Sequence, residues 1–528
     1  MVSPALKPEP YKPNVMKIIK TENTAWTNRH DTFTETIKDL YELGNEDDLD
    51  ALDSYNDATK GFLNMIADAI ATQTSLRPLG TGWSWARIAT VANGIMLDTK
   101  PLNTRFNITA ASVAPGYPGD PEHLLFAQSG MSIQELGEFL RAKKQSLKTS
   151  GASNGQTIAG ALSTGTHGAA FDFGAVPEFV VGLHIVVGAN RHVYLERASA
   201  PVVSDTFVQN IQAEHILDDD LFNAALVSFG SFGIIHGVMI ETDDLFLLET
   251  YMQRLPYDDS DQGKILKGIM QTLDFSAANL PCGNERPFHF GVLINPYDMD
   301  KGAYVTTMYK RPFTNDYSPA MANEAGIGPG DDAPSFIGLL TDSIPALVPT
   351  MVNKILGASL TLSDLDAQGN LVKKLGTVGE IFNNTTLRGR LLSAAVGFPI
   401  EKVNEVIDLM LKANDDFGPF AGLFSFRFVK QSTATLGFTK FKHTCVMELD
   451  AAHSDKVHKY YSQIWKILED NHIPFTFHWG KVNELSPTRI NNMYGDAAIS
   501  WKTARSKLLD ADAIKVFTNP ILQEWGLD

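Results

Sequence analysis

Apolar residues recur at helical spacing in several stretches of the chain and form short extended runs in others. Phe62, Ile66 and Ile70 stand four residues apart and predict a helix over residues 55–72. Similar stretches predict helices over 264–273, 335–356, 402–414 and 454–470. Extended runs predict strands over 289–294, 304–310, 423–430, 443–450 and 474–478. Helices and strands are mixed along the whole chain, which indicates an α+β fold.

Residues 150–168 depart from these patterns and read SGASNGQTIAGALSTGTHG. Glycines stand among Ser, Thr and Asn, with almost no bulk and no charge before His167. Because glycine permits positive φ and lets the main chain approach closely, such a segment can wrap N–H groups around a flat anionic ligand. A flexible linker is the alternative, but Ile158, Ala161 and Leu162 supply apolar anchors that linkers lack.

Two further glycine-rich turns flank this segment. Residues 77–84 read RPLGTGWS, which by itself is weak evidence because any tight turn after a strand could produce it. In residues 219–235, an Asp-capped short helix precedes a Gly-x-x-Gly turn and an apolar strand. Neither GxGxxG followed by an acidic residue nor GxxxxGK[ST] occurs, so the turns predict neither a Rossmann domain nor a P-loop.

Composition indicates a large enzyme and excludes some partners. A chain of 528 residues with 44% apolar residues can form two domains. The net charge of −17 argues against nucleic acid and anionic membranes, and no apolar run is long enough to span a bilayer. Residues 1–14 do not resemble a leader, and Cys282 and Cys445 are too few for a disulfide framework or a cysteine metal cluster. These features lead us to expect a cytoplasmic protein. The histidines lack metal-binding spacing, so we expect no bound metal.

Taken in order, RPLGTGWS, QTIAGALSTGTHG and SFGSFGII resemble the FAD-binding domain shared by the vanillyl-alcohol oxidase and p-cresol methylhydroxylase flavoproteins. The sequence is most similar to the aldonolactone and alditol oxidase branch of that superfamily. The match continues in HWGK at 478–481 and in Tyr494, Trp501, Arg505, Asp510, Phe517 and Asn519. The resemblance implies a two-lobed FAD-binding domain at 20–245 and an α+β substrate (cap) domain at 246–490. It also implies that a C-terminal segment, 491–528, returns to the FAD domain.

The resemblance further implies that FAD is bound by residues of the three glycine-rich segments and the C-terminus. They are Pro78, Gly80, Thr81, Gly82, Trp83, Ser84, Ser150, Gly151, Ser153, Asn154, Gly155, Thr157, Ile158, Gly160, Ala161, Thr164, Thr166, His167, Gly168, Gly233, Ile234, Ile235 and Asn519. A purely structural role for His167 is as open as contact with the cofactor.

Oxidation of an alcohol by a flavin requires an acceptor for the hydroxyl proton and a cation near the reduced flavin. In the substrate domain, Arg427, His478 and Lys481 match pocket residues of the alditol oxidase branch, which implies catalytic roles. The alternatives are a surface charge on an edge strand for Arg427, a core histidine for His478 and a solvated lysine for Lys481.

Two departures from the family pattern change what we expect for cofactor attachment and for substrate recognition. Many relatives carry, at the position of Trp83, a histidine that bonds to the flavin, and no cysteine lies near the second attachment position. We therefore expect non-covalent FAD. Polyol oxidases and some sterol oxidases carry, at the position of Ser425, a Glu that contacts the substrate hydroxyls, so Ser425 as the substrate-contacting residue puts polyol recognition in doubt. Glu448 on the next strand is a candidate replacement carboxylate.

The resemblance implies an FAD-dependent oxidoreductase that moves a hydride from a CH–OH group to N5 of the flavin. A sugar, aldonolactone or polyol is the expected substrate, and family analogy favours an oxidase that uses O₂. The absence of Glu at 425 and the apolar stretch 335–356 favour instead a bulkier alcohol, such as a sterol, terpenoid or aromatic carbinol. A flavin-binding module without turnover is the third possibility, although Arg427, His478 and Lys481 argue against it.

Overall fold

The computed structural model describes residues 16–45, 50–319, 341–360, 362–383 and 390–528. The apolar stretch predicted to be helical over 335–356 is thus described only from Thr341, and its residues 335–340 lie outside the described part. Within the remainder of that stretch, a helix runs over Val348–Ser359.

Short strands and helices alternate up to residue 245. The strands are β1 (Lys17–Lys20), β2 (Ala25–Thr27), β3 (Thr34–Thr36), β4 (Asp39–Gly44), β5 (Leu76–Leu79), β6 (Ile95–Asp98), β7 (Arg105–Asn107), β8 (Leu124–Gln128), β9 (Gln145–Ser146), β10 (Val180–Gly188), β11 (Arg191–Glu196), β12 (Glu214–Leu217), β13 (Ile234–Glu241) and β14 (Asp243–Asp244). The helices are α1 (Ala51–Ala71), α2 (Ile133–Ala142), α3 (Ile158–Ser163), α4 (Asp205–Asn210) and α5 (Asp219–Leu226).

These strands form two main sheets. One has the order β1-β4-β6-β5 and the other β12-β11-β10-β13-β8-β7. Helix α1 begins four residues before the predicted start because the Asp50 side chain accepts hydrogen bonds from the main-chain N–H groups of Leu52 and Asp53. Of its predicted apolar stripe, Phe62 and Ile66 are fully buried in the core, and Ile70 is partly buried against it.

A larger sheet follows in the middle of the chain. Its strands are β15 (Phe246–Leu255), β16 (His289–Ile294), β17 (Ala303–Pro312), β18 (Lys374–Gly376), β19 (Leu391–Pro399), β20 (Gly422–Lys430), β21 (His443–Ala452) and β22 (Thr476–Phe477). The helices of this region are α6 (Asp261–Thr272), α7 (Val348–Ser359), α8 (Val378–Ile381), α9 (Val403–Phe417) and α10 (Asp455–Asp470). The eight strands pair antiparallel in the order β18-β15-β17-β16-β20-β21-β19-β22.

Along β20, successive side chains point to opposite faces of the eight-stranded sheet, and only one of these faces is fully buried. Phe424, Phe426 and Phe428 are fully buried, whereas Ser425 and Arg427 point to the other face and are only partly covered. Strand β21 lies beside β20, and Glu448 stands directly opposite Ser425. Ser425 and Glu448 therefore share one face of the sheet.

The C-terminal helices pack against the first part of the chain. They are α11 (Pro487–Tyr494), α12 (Asp496–Leu508), α13 (Ala511–Val516) and α14 (Pro520–Trp525). Trp501 Nε1 donates to the Val227 carbonyl at 3.0 Å, and Arg505 Nε donates to the Ser231 carbonyl at 2.9 Å. The proposed division at residues 245 and 490 stays a prediction, although the strand pairing changes sheets between β14 and β15. No helix of the described ranges is long and apolar enough to cross a membrane.

Candidate active site

A cavity of about 400 Å³ lies between the glycine-rich segments and the eight-stranded sheet. Two hydrogen bonds of Trp85 join the two parts of the chain at its edge: the main-chain N–H donates to the Gly480 carbonyl at 2.8 Å, and Nε1 donates to the Leu391 carbonyl at 2.7 Å. The sheet side of the lining consists of Leu391, Leu392, Ser393, Arg427, Glu448, Asp450, His478, Gly480 and Lys481.

Most of the residues predicted to bind FAD reach this cavity. Those that line it are Pro78, Gly80, Thr81, Gly82, Trp83, Ser84, Gly151, Ser153, Thr157, Gly160, Thr164, Thr166, His167 and Ile235. Those that lie behind the lining are Ser150, Asn154, Gly155, Ile158, Ala161, Gly168, Gly233, Ile234 and Asn519. Asn519 has a structural contact instead, because its Nδ2 donates to the carbonyls of Ile88 and Thr90 at 3.1 and 2.9 Å.

The main chain at the cavity wall offers free hydrogen-bond donors. The N–H groups of residues 81–84 donate no hydrogen bond to any other described residue. Gly82 has φ +72°, a left-handed conformation in which glycine is favoured. Main-chain N–H groups are rarely left unpaired, and successive free N–H groups in a turn form a concave site for an anion. The wall therefore fits the diphosphate of FAD.

Trp83, which the resemblance assigns to the position of a flavin-linked histidine, lines the cavity. Its indole ring packs against Gly155, where an added Cβ would lie 2.6 Å from Trp83 Cζ2. The Trp83 indole Nε1 is buried and has no hydrogen-bond partner among the described residues. The glycine at position 155 thus makes room for the larger ring at position 83.

A buried carboxylate lies between two cations at the sheet end of the cavity. Glu448 Oε1 accepts a hydrogen bond from Lys481 Nζ at 2.7 Å, and Glu448 Oε2 lies 2.8 Å from Arg427 Nη2. The side chains of Glu448, Lys481 and Arg427 are 5%, 13% and 21% exposed. Arg427 and Lys481 are therefore held in the wall by Glu448 rather than extended into solvent.

Burial and charge act on Glu448 in opposite directions. Burial alone raises the pKa of its carboxyl group, but Arg427 and then Lys481 lower that pKa more, and the net shift is far below the ordinary value. Glu448 is consequently ionised at neutral pH, and the charge keeps its two partners in fixed positions.

The two histidines of this end are neutral and have opposite tautomers. Burial lowers the pKa of His167 to about 4 and lowers that of His478 well below its ordinary value. His167 Nδ1 lies 2.9 Å from the Gly168 carbonyl and must donate to it, which leaves Nε2 without a proton, 3.9 Å from Glu448 Oε1. His478 Nδ1 accepts from the Gly480 N–H at 3.0 Å, so its proton is on Nε2.

Sequence reasoning missed Asp450 and Ser393. Asp450 stands two residues after Glu448 on β21, lines the cavity with its side chain 61% exposed, and its Oδ1 is bonded by Ser393 Oγ and lies 4.0 Å from Lys481 Nζ. Strand alternation could have placed Asp450 beside Glu448, whereas Ser393 becomes its neighbour only through the pairing of β19 with β21. Ser425, predicted to contact substrate, is not among the lining residues.

His30 was also missed, because no motif surrounds it. Its ring stacks on Trp85 with centroids 3.8 Å apart and meets Trp83 edge-on at 5.6 Å. Burial lowers the pKa of His30 to about 4, so this ring is neutral as well. Trp26 and Phe33 complete an aromatic lining at this end of the cavity.

Comparison with known proteins supports this description. A family model described as an FAD binding domain matches residues 61–194. L-gulonolactone oxidase 3 of Arabidopsis thaliana is 35% identical over 130 residues, which cover 24% of this chain and 20% of that protein. L-gulono-1,4-lactone dehydrogenase of Mycobacterium tuberculosis is 22% identical over 435 residues, 82% of this chain and 86% of that protein. The structure of cholesterol oxidase from B. sterolicum, 13% identical, covers 99% of this chain and 100% of its own with a TM-score of 0.68, which shows a common fold.

Residues 61–194 thus match an FAD-binding domain, the whole chain shares the fold of cholesterol oxidase, and the predicted α+β fold is confirmed. In sequence, the chain is similar to proteins named gulonolactone oxidase and gulono-1,4-lactone dehydrogenase.

Proposed function

We propose that the protein oxidises a CH–OH group of a small polyhydroxylated molecule, namely an aldonolactone, a related sugar or a polyol. The observation that carries this proposal is the Arg427–Glu448–Lys481 cluster, which faces the glycine-rich wall across one cavity. The names of the relatives support the substrate class, because both act on gulonolactone.

The residues at the sheet end have separate roles. When bound, FAD supplies the acceptor for the two electrons of the oxidised carbon. Arg427 and Lys481 present N–H donors to substrate oxygen atoms, and Glu448 keeps both donors fixed before the substrate arrives. His478 presents its Nε2–H as a further donor, because its Nδ1 is occupied by Gly480.

His167 is the proposed acceptor of the hydroxyl proton. Its Nε2 carries no proton in the neutral ring, since Nδ1 donates to the Gly168 carbonyl. A proton that reaches Nε2 is stabilised by the carboxylate of Glu448, 3.9 Å away. The same carboxylate thus fixes the two cations and stabilises the protonated ring.

We propose that FAD is bound without a covalent link. Trp83 occupies the position of the usual linking histidine, and a tryptophan side chain does not form that bond. Neither free cysteine, Cys282 or Cys445, is among the lining residues. The free N–H groups of the wall are then the main source of affinity for the cofactor.

The proposed electron acceptor is molecular oxygen, and the proposed location is the cytoplasm. The oxygen assignment rests on the oxidase relative, while the mycobacterial relative is named a dehydrogenase. Oxygen uptake by the reduced enzyme, compared with reduction of an artificial quinone, tests it. The location rests on the two free thiols, which are typical of reducing compartments, and cell fractionation tests it.

The polar lining weighs against a bulky apolar alcohol. Asp450, whose Oδ1 accepts from Ser393 Oγ, adds an exposed carboxylate to the wall beside Lys481, and an apolar ring system placed against this carboxylate would remove it from water. The cholesterol oxidase structure, at 13% identity, supports the fold alone.

Anaerobic mixing of the yellow holoenzyme with alcohols tests the proposal. We expect L-gulono-1,4-lactone, a related lactone or an alditol to bleach the visible absorbance of the flavin. Bleaching only by a sterol or aromatic carbinol would refute the substrate class but retain the chemistry. If no compound bleaches the flavin while dithionite does, the protein is a flavin-binding module without alcohol oxidation.

A further inference from the structure

Arg77 is a buried arginine whose hydrogen-bond partners are all main-chain carbonyls. Its side chain belongs to β5, and the residue is 1% exposed. Nη1 donates to Gly230 at 2.8 Å and Phe517 at 3.1 Å, and Nη2 donates to Phe229 at 2.9 Å. Nη2 and Nε both donate to Ile88, at 2.9 and 3.2 Å. The hydrogen-bonding capacity of the guanidinium is therefore satisfied.

Its charge, however, is not balanced. Within the part of the chain that the structure describes, no carboxylate lies within 4.0 Å of Arg77. Burial, together with a smaller effect of the neighbouring guanidinium of Arg505, lowers its pKa to about 9. Carbonyl dipoles satisfy N–H groups, but a buried net charge remains costly without an ion of opposite sign.

This unbalanced charge lies directly behind the proposed FAD wall. Three of the residues whose carbonyls hold it, Ile88, Phe229 and Gly230, line the cavity. Arg77 is followed immediately by residues 78–84, and the N–H groups of residues 81–84 have no acceptor within the described ranges. Phe229 and Gly230 both have positive φ, +55° and +69°, so Arg77 also fixes a turn that the main chain adopts reluctantly.

We propose that the guanidinium of Arg77 is the buried counter-charge of the FAD diphosphate, and that it stabilises the bound cofactor from behind the wall without touching it. Arg77 is thus a positioning residue for the cofactor. The inference concerns cofactor affinity and does not depend on the substrate proposed above.

The physical reason is that Coulomb attraction acts through the low-dielectric wall. Attraction between ions falls only with distance and dielectric constant, and buried charges are screened little by salt. An anion in the cavity relieves the cost of the unpaired guanidinium, so part of the binding free energy of FAD comes from the protein charge that it neutralises. A flavin without phosphate gains nothing from this effect.

A purely structural role is the competing explanation, since Arg77 also ties Phe517 to the 229–230 turn. Arg77→Lys and Arg77→Gln separate the two roles. Both variants lose most of the carbonyl contacts, but only lysine keeps the positive charge. Arg505→Gln is the matched control, because Arg505 is also buried and donates to the Ser231 and Ile514 carbonyls and the Thr518 hydroxyl, none of which belongs to a residue that lines the cavity.

The measurement is titration of each apo-protein with FAD and with riboflavin, which lacks the diphosphate, followed by flavin fluorescence. We expect the affinity of Arg77→Gln for FAD to be about 10- to 100-fold lower than that of Arg77→Lys. We expect both variants to bind riboflavin with nearly the affinity of the parent protein. We expect Arg505→Gln to weaken FAD less than Arg77→Gln. Equal FAD affinities of the Lys and Gln variants, or an equal loss for FAD and riboflavin, would overturn the proposal.

The unmodified apo-protein provides a second test in case Arg77→Gln does not fold. Thermal unfolding is followed with inorganic pyrophosphate, ADP or adenosine. We expect pyrophosphate and ADP to raise the unfolding temperature and adenosine to raise it less. Stabilisation by adenosine equal to that by ADP would contradict a diphosphate-directed charge.

Discussion

Replacing Lys481 by methionine tests the charged end of the cavity directly. Lys481 lies in the HWGK turn, with Nζ 2.7 Å from Glu448 Oε1 and 4.0 Å from Asp450 Oδ1. Its side chain is 13% exposed, so the stem is packed and only the ammonium group reaches the cavity. Methionine keeps the length and the apolar stem and removes the charge and the N–H donors.

We expect Lys481→Met to raise the activation free energy of flavin reduction by more than it lowers the free energy of unfolding. Glu448 keeps its contact with Arg427 at 2.8 Å, so its charge does not become unpaired, and we expect a stability loss of about 2 kcal/mol for one hydrogen bond to a charged group. Removal of one preorganised donor from an active site costs about 10²–10³-fold in rate, or about 3–4 kcal/mol. The variant should therefore be folded and yellow but slow.

Stopped-flow reduction of the flavin under anaerobic conditions, with the best substrate of the panel, measures this rate. Lys148→Met is the matched control, because Lys148 is also a mostly buried lysine paired with a carboxylate, Glu241 at 2.9 Å, but does not line the cavity. A Lys481→Met enzyme that is reduced as fast as the parent would show that Lys481 is structural. Equal slowing of both variants would also refute the reasoning.

Three further outcomes are expected. Denaturation by acid or detergent should release all FAD, because Trp83 replaces the linking histidine; flavin fluorescence that stays with the polypeptide on a denaturing gel would contradict this, and His30 would then be the side chain to test. Asp450→Ala should raise KM for a polyhydroxylated substrate about tenfold or more with little change in kcat, since it removes a hydroxyl acceptor; an unchanged KM would remove Asp450 from the substrate site. His236, fully buried with its pKa lowered to about 3, is neutral in the fold, so the stability it contributes is complete above pH 6.5 and is lost as the pH falls towards 3. Urea unfolding between pH 6.5 and 5 should show that His236→Gln reduces the slope of unfolding free energy against pH by about 1 kcal/mol per pH unit, and an unchanged slope would refute it.

The sequence predicts which segments are helices and which are strands, but it does not predict all of the residues at which they begin and end. The strand predicted at 289–294 is confirmed residue for residue, and the helix predicted at 454–470 begins one residue later because Ser454 is its cap. The strand predicted at 474–478 shrinks to Thr476–Phe477, since only these two residues pair with β19. Local pattern specifies which residues extend, but the neighbouring strand decides how many of them pair.

The candidate site was predicted from motifs, and its electrostatics could not be. Arg427 and Lys481 were found through their likeness to a family, and alternation along β20 gave the correct face for Arg427. That Glu448 lies between them depends on the pairing of β20 with β21 and on the return of the chain at the HWGK turn. Contacts between residues so distant in sequence leave no local signal, which is why Glu448 was proposed only as a substitute for a missing carboxylate.

The charges of the cavity argue for the kind of molecule that each end accepts. At the sheet end, two cations, Arg427 and Lys481, face two carboxylates, Glu448 and Asp450, and the nearby histidines are neutral, so the formal charges cancel. At the glycine-rich end, Arg77 lies behind the N–H groups of residues 81–84, and among the residues that the structure describes no carboxylate pairs with it. An unbalanced positive end suits an anion, and a balanced end rich in donors and acceptors suits a neutral molecule with hydroxyl groups. A lactone or polyol is such a neutral molecule, whereas a carboxylic acid would bring an unbalanced negative charge beside Glu448.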